Sequence, residues 1–406
     1  MINWFTMQRV VITGIGAITP LGVSFSESWQ GILAGRSGIA VQETERPWRL
    51  AGTLPAMDFS SFLPARDVRT LDSFVLYASA AAHMALHDAH LLAEPQKPLI
   101  AGASVLVGSS RAGISSLEKA GKTLCEKKKL SPFLMPSTTL FMAPATIARQ
   151  YGIRGECLGI STACASGAHA IGEAYRQIRL GVTDIALAGG SEAPLCEVCF
   201  EGYGRAGALT PGTTADASRP FDRGRNGFVL AEGSCMLVLE SYRSARRRNA
   251  PVYAEIAGYV NRTDGHHLTQ PCLPSQIAVL NDVLRMARLG PDQIDHINAH
   301  GTSTQIGDRI EAEAIKTVFG ERPLPVSALK SMTGHMLAAS AAFEIACTAL
   351  SVRDGIIPPT INVTAQDNDC PVTLTPEKIS MPVKTALSQS FGFGGANAAL
   401  ILKQMI

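Results

Sequence analysis

Ile160-Ser161-Thr162-Ala163-Cys164-Ala165-Ser166-Gly167-Ala168-His169 sets one cysteine among small residues, between an apolar stretch and an amphipathic one. The apolar spacing over residues 165–180 predicts a helix, and Gly181 is a fitting stop signal. Cys164 then stands at a helix start, where the dipole and unpaired backbone N–H groups favour a thiolate. Small neighbours let a thioester approach the sulfur, and backbone amides at such a turn can hold an oxyanion. The same pattern fits a buried cysteine in a strand-to-helix turn, since free cysteines are often core residues. His169, five residues on, reads as a packing or hydrogen-bonding residue rather than a base.

Outward from this turn, short apolar runs alternate with longer helical patterns, which favours an α/β fold with mostly buried strands. Strands are expected over residues 10–13, 104–107, 185–188, 235–239, 296–299 and 398–402. Helices are expected over residues 73–88, 165–180, 277–288, 309–319 and 338–353, the last rich in Ala and Ser. A polar, proline-ended run, Arg246-Arg247-Arg248-Asn249-Ala250-Pro251, suggests a division into residues 1–250 and 251–406. Each part ends in a Gly-rich strand region, Ala188-Gly189-Gly190-Ser191 and Gly392-Phe393-Gly394-Gly395, which hints at duplication.

The 406 residues are 46% hydrophobic and 17% charged, an ordinary globular balance. A net charge of +2 argues against a dedicated nucleic-acid binder. No apolar run reaches the length of a membrane span. The opening segment lacks a basic n-region with a cleavage-type site, so a cytoplasmic location is expected, with residues 1–6 a peripheral extension. Nine scattered cysteines read as reduced thiols rather than a disulfide framework. Cys196 and Cys199 form a lone Cys-x-x-Cys without a second pair, weak grounds for a metal or redox site. Thr13-Gly14-Ile15-Gly16-Ala17-Ile18-Thr19-Pro20 superficially resembles a dinucleotide loop. It lacks the third glycine and Pro20 interrupts the helix, so a tight strand-to-loop turn is the better account.

Two histidines follow one local pattern. In Ile297-Asn298-Ala299-His300-Gly301-Thr302-Ser303-Thr304 a strand delivers His300 into a loop of Gly, Thr and Ser, followed by Gly307-Asp308 and a helix. In Val326-Ser327-Ala328-Leu329-Lys330-Ser331-Met332-Thr333-Gly334-His335 a strand again leads to a loop, then to the Ala-rich helix carrying Glu344. A single histidine at a strand end is commonly structural. Two of them together with Cys164 suggest more, because two imidazole N–H donors can stabilise the enolate formed when a malonyl thioester loses carbon dioxide. Lys330 reads as a buried partner of Glu344 or as an ordinary surface lysine. Ser390-Phe391-Gly392-Phe393-Gly394-Gly395-Ala396-Asn397 reads as a loop able to supply an oxyanion N–H, or as a turn before the last strand.

Together these four segments resemble the β-ketoacyl-acyl-carrier-protein synthases, particularly the synthase I/II branch, over nearly the whole chain. The resemblance implies a duplicated five-layered αβαβα thiolase fold, normally dimeric. It implies that Cys164 accepts the acyl group, that His300 and His335 bind the malonyl thioester, and that Lys330 and Glu344 support them. Phe393 matches a gating residue whose N–H joins that of Cys164 in an oxyanion hole, and Thr302 and Thr304 match hydroxyls on the phosphopantetheine arm. No metal or diffusible cofactor is implied; the prosthetic arm arrives with the acyl carrier protein, and malonyl-carrier protein is the extender. Arg66, Arg69 and Lys127–Lys129, including Lys128 and Lys129, match carrier docking regions, while Gly207 replaces a basic residue usual in the branch, with Arg205 nearby.

Arg111, in Gly108-Ser109-Ser110-Arg111-Ala112-Gly113, and Tyr203 match the acyl pocket. A charge where the branch is commonly apolar would suit a short, polar or unsaturated acyl group, unless Arg111 turns away and pairs across an interface. Two other readings stay open: a type II polyketide or polyene ketosynthase working beside a similar partner, and a non-catalytic chain-length partner subunit. The second conflicts with the presence of Cys164, His300 and His335. A thiolase is disfavoured because Phe391 and Phe393 stand where its second cysteine would be.

Overall fold

The alternating apolar segments build two copies of one strand pattern. The computed structural model describes residues 7–405, so the expected extension at residues 1–6 lies outside the described residues. Among these, eleven strands join one sheet. They are β1 (Val10–Ile18), β2 (Ser104–Gly108), β3 (Cys157–Ile160), β4 (Ile185–Glu192), β5 (Gly233–Ser241), β6 (Ala254–Thr263), β7 (His296–Asn298), β8 (Pro325–Ser327), β9 (Thr373–Leu374), β10 (Thr385–Gly392) and β11 (Ala396–Lys403). The helices that matter most are α1 (Ser73–Asp88), α2 (Ser166–Arg179), α3 (Glu197–Arg205), α4 (Leu273–Ala287), α5 (Gln305–Phe319) and α6 (Ala338–Asp354).

The sheet order is β9-β8-β7-β10-β11-β6-β1-β5-β4-β2-β3. On one side β3, β2 and β4 run parallel, then β5 and β1 antiparallel. On the other, β8, β7 and β10 run parallel, then β11 and β6 antiparallel. The two series match strand for strand once β9 is set aside, and β1 pairs with β6 where they meet. Duplication is therefore written in the topology. Helices α2 and α6 fill the space between the two halves of the sheet, with α1 outside one half and α4 and α5 outside the other. This is the five-layered αβαβα thiolase arrangement.

α6 is buried along nearly its whole length, which explains its Ala and Ser content. Small side chains let a helix approach neighbours on every side, at close-packed density. Among the described residues no helix is long and apolar enough to cross a membrane.

The expected turn at Gly14–Pro20 is a correction. The glycines sit inside β1, which runs unbroken from Val10 to Ile18 with an irregularity between Ile12 and Gly14. The reason is packing against α1: a Cβ on Gly16 would stand 2.1 Å from the Ala81 carbonyl oxygen. Here glycine marks a close helix approach rather than a chain reversal.

Candidate active site

Three turns converge. Cys164 follows β3 and precedes α2, His300 leaves β7, and His335 lies between β8 and α6. The residue next to each has a positive φ: Ala163 at 51°, Gly301 at 43° and Gly334 at 69°. Such backbone costs energy for a non-glycine residue, and it turns the chain sharply out of the strand direction beside each of the three side chains. At Cys164 the strained turn is held locally: the Thr162 amide donates to Ser166 Oγ at 2.8 Å, and that hydroxyl donates to the Ala163 carbonyl at 2.6 Å. As a result Cys164 Sγ and one nitrogen of each histidine lie within 4.8 Å of one another.

The histidines are buried and their rings meet edge to face at 5.5 Å. Lys330, wholly buried on the short helix Lys330–Thr333, donates to Glu344 Oε1 at 2.6 Å, to the His300 carbonyl at 2.5 Å and to His300 Nδ1 at 3.3 Å. An ammonium has three hydrogens, and all are taken. His300 Nδ1 therefore accepts, and a neutral ring carries its hydrogen on Nε2. On His335, Nδ1 faces Ser340 Oγ at 3.5 Å, while that oxygen accepts from the Met336 amide. His335 Nε2 is buried without a protein partner among the described residues. Both tautomers are assigned from this network; they leave two Nε2–H donors for a ligand.

Burial holds both imidazoles well below the usual histidine range, and the Lys330 charge pushes the same way. Burial also raises the Glu344 carboxyl to about 7, against the pull of Lys330. The thiolate expected at Cys164 is corrected by the same physics. Burial pushes that thiol up to about 11, and the Lys330 charge, which lowers it, offsets only part. The helix begins at Ser166, two residues on, so its dipole acts on a thiolate that forms during reaction rather than on a resting one.

A cavity of about 470 Å³ opens over these groups, lined by Cys164, both histidines, Tyr203, Phe228 and Phe393 among others. Thr302 and Thr304 line it too, with hydroxyls 2.9 Å apart. Phe393 sits in the turn between β10 and β11, partly exposed. Gly392 beside it backs directly onto the nucleophile turn: a Cβ there would be 2.8 Å from the Thr162 carbonyl oxygen and 3.2 Å from the Cys164 amide nitrogen. His169 lies outside the cluster, with Nε2 3.4 Å from the Asn397 carbonyl.

Arg111 is exposed in the single chain and stands behind the cavity wall rather than in it. Its Nε donates to Tyr203 Oη at 2.8 Å, with the guanidinium 5.2 Å from that ring. Arg66 and Arg69 are exposed on the helix Ala65–Thr70, and Lys127, Lys128 and Lys129 are exposed after the helix Ile114–Cys125. The two stretches come together, because the Arg66 guanidinium lies 5.4 Å from the Phe133 ring.

Sequence reasoning missed three buried carboxylates that hold these loops. Glu311 on α5 accepts from the His300 and Gly301 amides at 2.6 and 2.8 Å, and from Gln389 at 2.6 Å. Asp308 accepts from the Phe221 and Ser303 amides and pairs with buried Arg225. Glu192, at the end of β4, accepts from Ser109 Oγ and from the amides of Ser110 and Arg111. The available signal was an acid in the first turns of the helix that follows the His300 loop.

Known proteins similar to this chain in sequence and shape agree on one kind of molecule. Residues 7–245 match the family model described as beta-ketoacyl synthase, N-terminal domain, and residues 253–364 its C-terminal domain. The 3-oxoacyl-[acyl-carrier-protein] synthase 2 of Coxiella burnetii is 38% identical, with 98% of this chain and 99% of the relative covered. The ishigamide ketosynthase/chain length factor superposes with a TM-score of 0.92 at 33% identity, over 99% of this chain and all of that one. A type II PKS ketosynthase bound to a hexaketide, in complex with its acyl-carrier protein, gives 0.89 at 33% identity, over 98% of this chain and all of that one.

Proposed function

The chain belongs to the β-ketoacyl synthase family, and from that premise we propose that it condenses a Cys164-bound acyl group with malonyl-acyl-carrier protein. It is an acyltransferase of the condensing type. The observation that carries the residue assignment is the meeting of Cys164 Sγ with one nitrogen of each of His300 and His335 inside 4.8 Å.

In the first half-reaction the Cys164 sulfur, giving up its proton, attacks the thioester carbonyl of an acyl-carrier protein. The tetrahedral oxygen takes hydrogen bonds from the Cys164 and Phe393 amides, and the departing pantetheine sulfur takes up a proton. In the second, the malonyl thioester carbonyl accepts from the two Nε2–H groups. Loss of carbon dioxide leaves the enolate held by those donors, and its carbon attacks the acyl-Cys164 carbonyl. The new carbon–carbon bond forms as the Cys164 sulfur departs and regains a proton. Neutral histidines suit this role, since a fixed N–H dipole in a dry site stabilises developing charge without a proton first being lost. Residues 1–250 then act as the loading half and residues 251–406 as the half that binds the extender.

Thr302 and Thr304 receive the amides of the phosphopantetheine arm, so the partner supplies the prosthetic group and no other cofactor takes part. The exposed basic cluster of Arg66, Arg69, Lys128 and Lys129, with Phe133 beside it, offers an acidic carrier protein charge at the rim and an apolar contact at the centre. The Tyr203–Arg111 pair favours a short, polar or unsaturated acyl chain, because extending the pocket past Tyr203 would strip water from a guanidinium.

Intact-protein mass spectrometry of the enzyme after incubation with a panel of acyl-carrier proteins tests this reading. A single acyl mass on Cys164, absent from Cys164→Ala and discharged by malonyl-carrier protein, is expected. Condensation by the Cys164→Ala protein would overturn the assignment, and efficient loading of long saturated chains would overturn the acyl preference.

A further inference from the structure

The Cys-x-x-Cys pair is not absorbed by this chemistry, yet the fold places it at a helix start and against the acyl pocket. Cys196 is the N-cap residue of α3, with extended backbone at φ −132° and ψ 162°, and Cys199 lies in the first turn. The Cys199 amide donates to the Cys196 carbonyl at 3.1 Å. Both thiols are free, Cys196 half-buried and Cys199 buried. Both pack in the cluster that holds Cys164, Tyr203 and Phe228. Residues three apart on a helix have Cβ atoms about 5–6 Å apart, and a disulfide requires about 4 Å. A modest contraction of the first turn of α3 closes that gap.

We infer that Cys196 and Cys199 form a thiol–disulfide exchange site whose oxidation moves Tyr203 and so narrows acyl loading at Cys164. The coupling half of this inference rests on the proposed acyl-transfer function; the exchange half does not. Cys196 is half-buried and Cys199 buried, so Cys196 is the sulfur that a disulfide arriving from solution reaches first. The oxidant is a low-molecular-weight disulfide such as glutathione disulfide. Cys196 loses its proton to solvent and attacks one of the two sulfurs, expelling glutathione thiolate. Cys199 then loses its proton and attacks the Cys196 sulfur, forming the intramolecular disulfide and expelling the second thiolate. The two thiolates take up the two protons; the protein loses two electrons and the glutathione disulfide gains them.

The mechanical link is short. Tyr203 follows Cys199 by one turn on α3, lines the cavity, forms an edge contact with Phe228 at 5.6 Å and accepts from Arg111. The start of α3 is anchored by Glu118, whose carboxylate accepts from the Val198 amide at 2.8 Å. Closing the disulfide pulls the first turn of α3 inward against that anchor.

The test incubates the full chain in glutathione buffers of graded ratio, traps free thiols by alkylation and maps the peptide that carries both cysteines. The expected product has lost two hydrogens, carries no alkyl group on either cysteine and is restored by dithiothreitol. Cys199→Ser should stop at a glutathione adduct on Cys196. A Cys164→Ala background keeps adducts on the nucleophile from being counted. Because a shift of about 1 Å costs on the order of 10²-fold at a reacting centre, acyl loading of the oxidised enzyme should fall measurably, while Cys196→Ser should be indifferent to the buffer. Wild-type protein that stays reduced under excess glutathione disulfide, or halts at the mixed disulfide, would overturn the exchange site. A closed disulfide with unchanged loading would overturn the coupling. Failure of the reduced enzyme to load any acyl group would instead count against the proposed function.

Discussion

The two halves of the molecule share a strand order but present different chemistry at two matching strand ends. After β3 the first half offers Cys164, and after the matching β8 the second offers His335. After β2 the first half has the Ser109-Ser110-Arg111 loop; after the matching β7 the second has His300-Gly301-Thr302. Each of these loops is held by a buried carboxylate that accepts its backbone amides, Glu192 in one half and Glu311 in the other. The difference lies in what the scaffold carries. The first half presents a thiol with an apolar wall and one cation behind it. The second presents two imidazole donors wired to a buried ion pair. The topology repeats the geometry twice, and on the proposed function the side chains divide the labour into loading and condensing.

The comparison breaks if a change in the second half stops loading. Replacing His300 or His335 by Ala should cut malonyl decarboxylation about 10²–10³-fold, the usual cost of one donor to a developing oxyanion, and leave acyl-Cys164 formation intact. Both rates are read from the same assay, as carbon dioxide release and as acyl-enzyme mass. Lys330→Ala leaves Glu344 buried without its partner, forced to take up a proton or stand unpaired, and should cost about 3–5 kcal/mol of stability, seen as a lower denaturation midpoint. It also removes the donor that fixes the His300 tautomer, so decarboxylation should fall further than folding explains.

The carboxylate clamps sharpen the same point. Glu311→Gln keeps one acceptor oxygen but turns an NH2 donor toward the other backbone N–H, and should cost about 1–3 kcal/mol locally, appearing in decarboxylation before loading. Glu192→Gln should do the reverse, changing which acyl chains load while sparing decarboxylation. The smallest effect is the pH response of Cys164. Its thiol is raised to about 11, so the reactive thiolate fraction at neutral pH is small and grows about tenfold per pH unit below that value. Alkylation by iodoacetamide should keep rising through pH 9. A plateau reached by pH 7 would show that the helix end outweighs burial.

The meeting of Cys164, His300 and His335 was legible in residues 160–169, 297–304 and 326–335, because each sits in its own local motif; the proposed division of roles rests on those motifs and on residues 390–397. The ion pair of Lys330 and Glu344 could be named from sequence since each flanks a motif. The helix over residues 73–88 could be drawn as a long, mostly apolar stretch free of Gly and Pro. Other features depend on distant partners. β3 is short and partly exposed at a sheet edge, and β6 ends in polar Asn261, Arg262 and Thr263, so neither shows a strand pattern. Gly14 and Gly16 carry a turn signal locally, but α1 packing makes them strand residues. Glu311 and Glu192 look like any acids in sequence; only the fold shows that backbone amides turn toward them. The Cys164 thiol went the other way, since a local dipole was visible and the burial that opposes it was not.

The central claim is that the first half loads and the second half condenses. Its most direct test follows the mass of His335→Ala protein, first with an acyl-carrier protein and then after a malonyl-carrier protein chase. The account predicts an acyl adduct on Cys164 that forms and then persists, where wild-type discharges it. Absence of the adduct, or its discharge at the wild-type rate, would contradict it.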